Sequence, residues 1–393
     1  MQNKKYSILL VAFVCHYSHV ARFVKYLKRT NPSVEITLLA DRYDVSDDIK
    51  ENVQHIIYRH YYTAKPFIRY KCLSFLLNMI VLRKQFYILS KSCCYDIVNI
   101  HFCQFFMVFL LRYIKKMGKK IVITPWGSDV LRLDSKIKRR LLGYVYRKAN
   151  MVTVGLQSPL GSVIRQEFGV EEKKFSVLGW GSETIDYINE HLESVSNAEA
   201  KTELGLENGC VITCGYNAFP EQRHEAIIDA IKKVKEYLPS NIVLLFPVTY
   251  GSGDLKKKSD YVSFLKKKVN ALGLKAVFYE DYLSVRDVFM LRRASDVFVH
   301  VQTTDAGNST IMEYCICGNK VVHGSWMHYK WLDCQPRFYF PIDNLEDLPS
   351  VIVEACRAES PVLPNEVSSI IKARGWSEKM IQWNDAFTSL LLL

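Results

Sequence analysis

The chain has 393 residues, 49% hydrophobic and 23% charged, which excludes a disordered polyelectrolyte and exceeds what one ordinary core needs. Its net charge of +12 is uneven: residues 1–180 hold 30 Lys and Arg against 12 Asp and Glu, the remainder 22 against 28. Only the first half is therefore expected to face an anionic partner, whether nucleic acid, an anionic lipid surface or a phosphorylated substrate.

The 11 cysteines follow no disulfide framework, and Cys93-Cys94 and Cys315-x-Cys317 lack metal-ligand spacing. Reduced, mostly buried thiols are expected. The opening MQNKKYSILLVAFVCHYSHV reads as a first buried strand, because its apolar run is short and no small-residue cleavage site follows. No apolar run reaches the ~20 residues that cross a bilayer.

In chain order the pattern predicts a strand at 6–12, a helix at 18–28 and strands at 34–40 and 53–58. A long helix at 70–90 and a strand at 97–102 follow, then a helix at 105–116, a strand at 120–124, a helix at 135–148 and a strand at 151–155. Residues 175–178 lead into Gly179-Trp180-Gly181-Ser182, a crossover, and a polar stretch at 189–201. The alternation then restarts: strands at 210–214, 241–247, 276–279, 297–301 and 320–323 are separated by helices at 221–237, 261–272, 285–293 and 309–317. A last helix spans 378–391. Short apolar strands alternating with helices imply mostly parallel sheets covered on both faces. The expected architecture is α/β, with two doubly wound, Rossmann-like domains facing a cleft at 1–178 and 179–375, and a helix at 376–393 returning to the first. Ligands of such folds bind where strand ends and helix N-termini converge.

Several segments resemble glycosyltransferase family 4, of the GT-B fold. Asp305-x7-Glu313, followed by Tyr314-Cys315-Ile316-Cys317-Gly318-Asn319-Lys320-Val321-Val322, is similar to that family's E-x7-E and EAMACGxPVV segment. Thr124-Pro125-Trp126-Gly127-Ser128-Asp129 looks like its TPWGSD segment, and Val177-Leu178-Gly179-Trp180-Gly181 stands where such enzymes cross between domains. Cys214-Gly215-Tyr216-Asn217 and Pro220-Glu221-Gln222-Arg223-His224 stand at their phosphate-binding position, and Trp376 and Trp383 match the returning helix. Phe246-Pro247-Val248-Thr249-Tyr250-Gly251 is closer to the 4-acetamido-fucose transferases of enterobacterial common antigen synthesis. The chain departs from family 4 in three places. Asp305 replaces a glutamate, Cys15-His16-Tyr17-Ser18-His19 replaces the glycine-rich loop, and no arginine lies near Tyr216.

The resemblance implies transfer of a sugar from a nucleotide-sugar donor, with retention of anomeric configuration, the leaving phosphate taking the acceptor proton. Arg223 is the candidate cation on the diphosphate, with His224 beside it, and Gly215 and Asn217 let the backbone approach. Asn308, Ser309 and Thr310 open a helix whose amides suit phosphate. Glu313 suits a ribose diol, because a carboxylate accepts two hydroxyl hydrogen bonds. Asp305 is placed near the donor sugar and counted, with Arg223 and Asp129, among the catalytic candidates. Asp129 either orients or deprotonates the acceptor hydroxyl or merely caps a helix. His16, His19, His101 and Trp126 form the acceptor side, and core packing or capping is the plain alternative for each.

No cofactor or metal is expected, since no DxD motif is present and an arginine and helix ends can carry the diphosphate. The expected acceptor is polyprenyl-diphosphate-linked or another oligosaccharide. Bases and aromatics at 65–84 point to an anionic membrane surface. The expected place is the cytoplasm, peripherally on the inner face of the cell membrane, and no nucleic-acid module is found. The rival reading is a non-catalytic partner that binds a glycan or a lipid-linked intermediate.

Overall fold

The computed structural model describes residues 5–14, 17–41, 45–61, 71–133, 135–155, 159–206, 209–251, 254–303, 309–332 and 337–393. The chain forms two compact units, Met1–Gly181 with Trp376–Leu393, and Ser182–Gly375.

Seven strands build the first unit: β1 (Ser7–Ala12), β2 (Glu35–Ala40), β3 (His55–Tyr58), β4 (Tyr95–His101), β5 (Gly118–Thr124), β6 (Met151–Val154) and β7 (Phe175–Val177). They are all parallel, in the order β3-β2-β1-β4-β5-β6-β7. The interior strands are continuous apolar runs such as SILLVA because helices cover both faces, whereas the edge strand HIIY is only half-buried. The strand order reverses between β1 and β4, and there the register aligns Ala12 with His101 and His101 with Thr124 on the carboxyl edge.

The second unit holds β8 (Cys210–Cys214), β9 (Ile242–Pro247), β10 (Lys275–Tyr279), β11 (Val297–His300), β12 (Lys320–Gly324) and β13 (Phe340–Ile342). These are also parallel, in the order β10-β9-β8-β11-β12-β13. The order reverses between β8 and β11, and His300 aligns with His323 at the carboxyl edge. This sheet repeats the dinucleotide-fold order.

The sequence pattern located the long strands, but it merged or missed several helices. Residues 105–117 are a 3₁₀ turn, Phe105–Phe109, followed by a short helix, Leu111–Met117, rather than one helix. The helix expected from Glu221 begins at His224, after a 3₁₀ turn at Pro220–Gln222. Helices Pro159–Phe168, Glu183–His191, Leu348–Arg357 and Asn365–Lys372 add to those expected. Cys93, Cys94, Cys103, Cys210, Cys214, Cys315, Cys317 and Cys356 are free thiols.

The last helix, Trp376–Leu392, belongs to the first unit and packs on the helix Ser18–Thr30. Tyr26 stacks on Trp376 at 5.7 Å, and Phe23 meets Trp383 edge-on at 5.1 Å. Tyr6 Oη and Asn31 Nδ2 both donate to Asn384 Oδ1, at 2.8 and 3.0 Å. Gly181 is obligatory for this junction, because a Cβ there would lie 2.5 Å from Trp376 Cα. Trp383 is 1% exposed, and its Nε1 donates to Gly179 O at 3.2 Å. Trp383→Ala should therefore destabilise the first unit by about 3–5 kcal/mol, read by urea denaturation with circular dichroism.

Candidate functional site

Candidate residues gather at the carboxyl edge of each sheet, and the two groups are described separately.

In the first unit, β4 delivers His101 to the carboxyl edge. Thr124 Oγ1 donates to Asn99 Oδ1 at 2.9 Å, and Asn99 Nδ2 faces His101 Nε2 at 3.1 Å. An amide N–H needs an acceptor, so His101 is neutral with its proton on Nδ1. Burial, then nearby His19, depresses the imidazole to about 3, which keeps it neutral. Nδ1 is buried without a partner, and so is Trp126 Nε1. Around these two donors stand His19, Phe23, Phe102 and Trp180. Trp180 lies 5.5 Å from His101 and 5.7 Å from Trp126, and His19 lies 5.2 Å from both indoles. Phe102 adopts φ 54°, a left-handed conformation costly for a phenylalanine, directly after His101.

Asp129 lies turned inward at the start of the short helix Ser128–Leu131. It is 7% exposed, and Oδ1 accepts from the backbone amides of Trp126 and Gly127, both at 3.0 Å. It holds the turn that carries Trp126, where Gly127 takes φ 100°. Burial outweighs these hydrogen bonds and raises its carboxyl to about 6.

In the second unit, Gly215 follows β8 directly, with φ 62°; a Cβ there would lie 2.8 Å from His224 Nε2 and 2.9 Å from Gln222 Oε1. Arg223 has φ 59° and ψ 36° and sits at the N-cap of the helix His224–Val234. A left-handed arginine costs roughly 1–2 kcal/mol, strain of a kind that collects at functional sites. Its guanidinium lies 5.2 Å from the Trp326 ring. Trp326 Nε1 donates to Gln302 O at 2.8 Å, Gln222 Nε2 to Gln302 Oε1 at 2.6 Å, and Tyr216 Oη to the same oxygen at 3.3 Å. His224 is buried, with Nδ1 facing Tyr261 Oη at 3.1 Å and Nε2 unpartnered, and burial depresses it to about 4. Asn217 is 4% exposed, and its Oδ1 accepts from Phe219 N at 2.9 Å, so its side chain shapes the turn after Gly215.

Glu313 lies in the helix Thr310–Ile316 and is 4% exposed. Ser182 Oγ and Ser309 Oγ both donate to Oε1 at 3.0 Å, and Arg292 Nε reaches Oε2 at 3.4 Å. Arg292 is itself buried, donates to Tyr314 Oη at 2.7 Å and lies over that ring. Ser182 also caps the helix Glu183–His191. Thr310 opens the Glu313 helix, half-buried.

The structure thus joins Gly215, Arg223 and His224 in one cluster, Ser309 and Glu313 in another, and His19, His101 and Trp126 in a third. His16, Asp305 and Asn308 lie outside the described residues. Sequence reasoning missed Arg292, Ser182, Gln222, Gln302 and Trp326. Gln302, two residues past β11, had a positional signal; the pairing of Arg292 with Glu313 across 21 residues had none.

Residues 7–155 match a family model described as glycosyl transferase 4-like. No curated protein sequence matches the chain. The Anabaena HepE structure in complex with UDP is similar at 16% identity and TM-score 0.70, over 98% of this chain and 100% of that one. A glycosyltransferase from Rickettsia africae is similar at 14% identity and TM-score 0.69, over 99% of each chain. The lipopolysaccharide outer core galactosyltransferase WaaB is similar at 14% identity and TM-score 0.63, over 98% of this chain and 99% of that one.

Two predictions follow from the burial. Asp129 has a folded-state value of about 6 against about 3.9 unfolded, so its ionisation opposes folding. The wild type should lose stability relative to Asp129→Asn as pH rises from about 4 to about 6, by at most about 1.4 kcal/mol per unit, read by urea denaturation across that window. Glu313→Ala strands a buried Arg292 and should destabilise the second unit by about 3–5 kcal/mol, whereas Glu313→Leu combined with Arg292→Met should recover most of that loss in the same assay.

Proposed function

We propose that this chain, of the GT-B fold and with a glycosyl transferase 4-like segment over residues 7–155, moves a sugar from a nucleotide-sugar donor to a lipid-linked or cell-surface glycan. The observation that carries this reading is the anion-ready start of the helix His224–Val234. A strained arginine, a buried histidine with a spare ring nitrogen and a glycine with no room for a side chain meet there. Free amides and the helix dipole favour a diphosphate at such a point. HepE was crystallised with UDP and with UDP-glucose, which supports a uridine donor as the first to test.

In this reading Arg223 stabilises charge gathering on the leaving diphosphate as the bond from the anomeric carbon to phosphate oxygen breaks. The acceptor oxygen bonds to the same carbon, and its proton passes to the departing phosphate on the same face, retaining configuration. The arginine and amides carry the charge, so the reading takes no metal. Glu313 already accepts two hydroxyl hydrogen bonds on Oε1, the geometry a ribose diol offers, and Ser309 is the hydroxyl the ribose displaces. The amides of Ser309 and Thr310 supply further phosphate donors. His101 and Trp126 present two N–H groups within an aromatic wall, chemistry that suits sugar hydroxyls and the apolar faces of sugar rings. The proposed place of work is the cytoplasmic face of the membrane, where a polyprenyl-diphosphate-linked acceptor would be met.

One observation favours a non-catalytic binding partner: the Glu313 carboxylate is occupied by Ser182, Ser309 and Arg292. Titration calorimetry with UDP and a donor-hydrolysis panel of sugar nucleotides separate the two readings. UDP should bind, and Arg223→Ala should weaken binding by about 1.5–3 kcal/mol, ten- to hundredfold, with an unchanged circular dichroism spectrum. Equal affinity in the variant removes Arg223 from the site; binding without turnover of any donor favours the partner reading.

A further inference from the structure

The first unit's helix Lys71–Ser92 is apolar on two sides, and its fold accounts for only one of them. Met79, Leu82 and Phe86 enter the core. Leu73, Leu76, Ile80, Tyr87 and Ile88 are 44, 57, 58, 45 and 52% exposed. Their spacing of three, four, seven and one places them along a single stripe of the helix. Arg83, Lys84 and Lys91 are exposed within the same stripe, and the helix contains neither Asp nor Glu.

The neighbouring helix continues the pattern. Tyr87 meets Tyr113 edge-on at 6.1 Å, which ties Lys71–Ser92 to Leu111–Met117. The exposed residues of Leu111–Met117 are Arg112, Lys115 and Lys116, again without an acid. Contiguous exposed leucine and isoleucine in a folded protein mark an interaction surface.

The composition selects the occupant. A polyanion such as nucleic acid would satisfy the bases but leave Leu76 and Ile80 against a charged backbone. A second copy meeting the same face by two-fold symmetry would set cation against cation. An anionic bilayer satisfies both classes, taking apolar side chains at the acyl boundary and bases at lipid phosphates. We infer that this face docks the chain on an anionic lipid surface, Leu76 and Ile80 inserting and Arg83, Lys84 and Lys91 holding headgroups. Docking requires no sugar nucleotide, so it stands or falls separately from glycosyl transfer.

Vesicle flotation of the full chain tests it. The chain should float with mixed phosphatidylcholine–phosphatidylglycerol vesicles and not with phosphatidylcholine alone. Leu76→Asp with Ile80→Asp, and separately Arg83→Glu with Lys84→Glu, should each weaken partitioning at least about tenfold. Leu255→Asp, at a second-unit leucine 81% exposed, should leave it unchanged. Hydrogen exchange of the unaltered chain gives an independent reading, in which mixed vesicles slow the amides of 73–91. Equal flotation on both vesicle types, face variants that partition like wild type, or no added protection in that helix overturns the inference. A wild-type dimer that the face variants dissolve also overturns it and gives the surface to a second copy.

Discussion

A parallel strand reaches its neighbour only by a crossover, so every strand of a parallel sheet ends on the same edge. That constraint governs both units. Each sheet reverses its order once, between β1 and β4 in the first and between β8 and β11 in the second, and the chains leaving those strands diverge there. His101 and Gly215 occupy these two places. Of the two non-glycine residues with positive φ among the described residues, Phe102 directly follows His101, and Arg223 comes eight residues after Gly215, beside His224, which Gly215 faces.

The polar groups at these edges fall into two physical kinds. Asp129, Asn217 and Ser182 each use a side-chain oxygen to hold a turn or cap, though the second oxygen of Asp129 is buried without a partner. His101, Trp126 and His224 keep a buried nitrogen without a partner, an arrangement native proteins rarely leave without a ligand, water or ion to complete it. Glu313 stands between the kinds. One oxygen pairs with Arg292, while the other is shared by the Ser182 and Ser309 hydroxyls.

Much of the fold was legible in the sequence because buried parallel strands are continuous apolar runs, and IVLLFP or SILLVA has few other uses. Several short helices were not, because two or three buried apolar residues, such as Val367 and Ile371, are too few to stand out along the chain. Among the candidate site residues, Arg223 and Glu313 stood out through the segments that resemble known motifs. The helix start one residue after Arg223 did not, because a left-handed arginine contradicts local propensity; here it follows the 3₁₀ turn Pro220–Gln222 and lies beside Trp326.

The sequence by itself determined the α/β class, the uneven charge and the restart of the strand pattern after the crossover. Those are properties of composition and spacing along one dimension. Tertiary structure alone decided that Asp129 faces inward, that Arg292 neutralises Glu313, that His101 keeps its free proton on Nδ1 and that the helix Lys71–Ser92 leaves an apolar stripe exposed. Burial and pairing depend on which distant segments meet, and neither periodicity nor local propensity encodes that meeting.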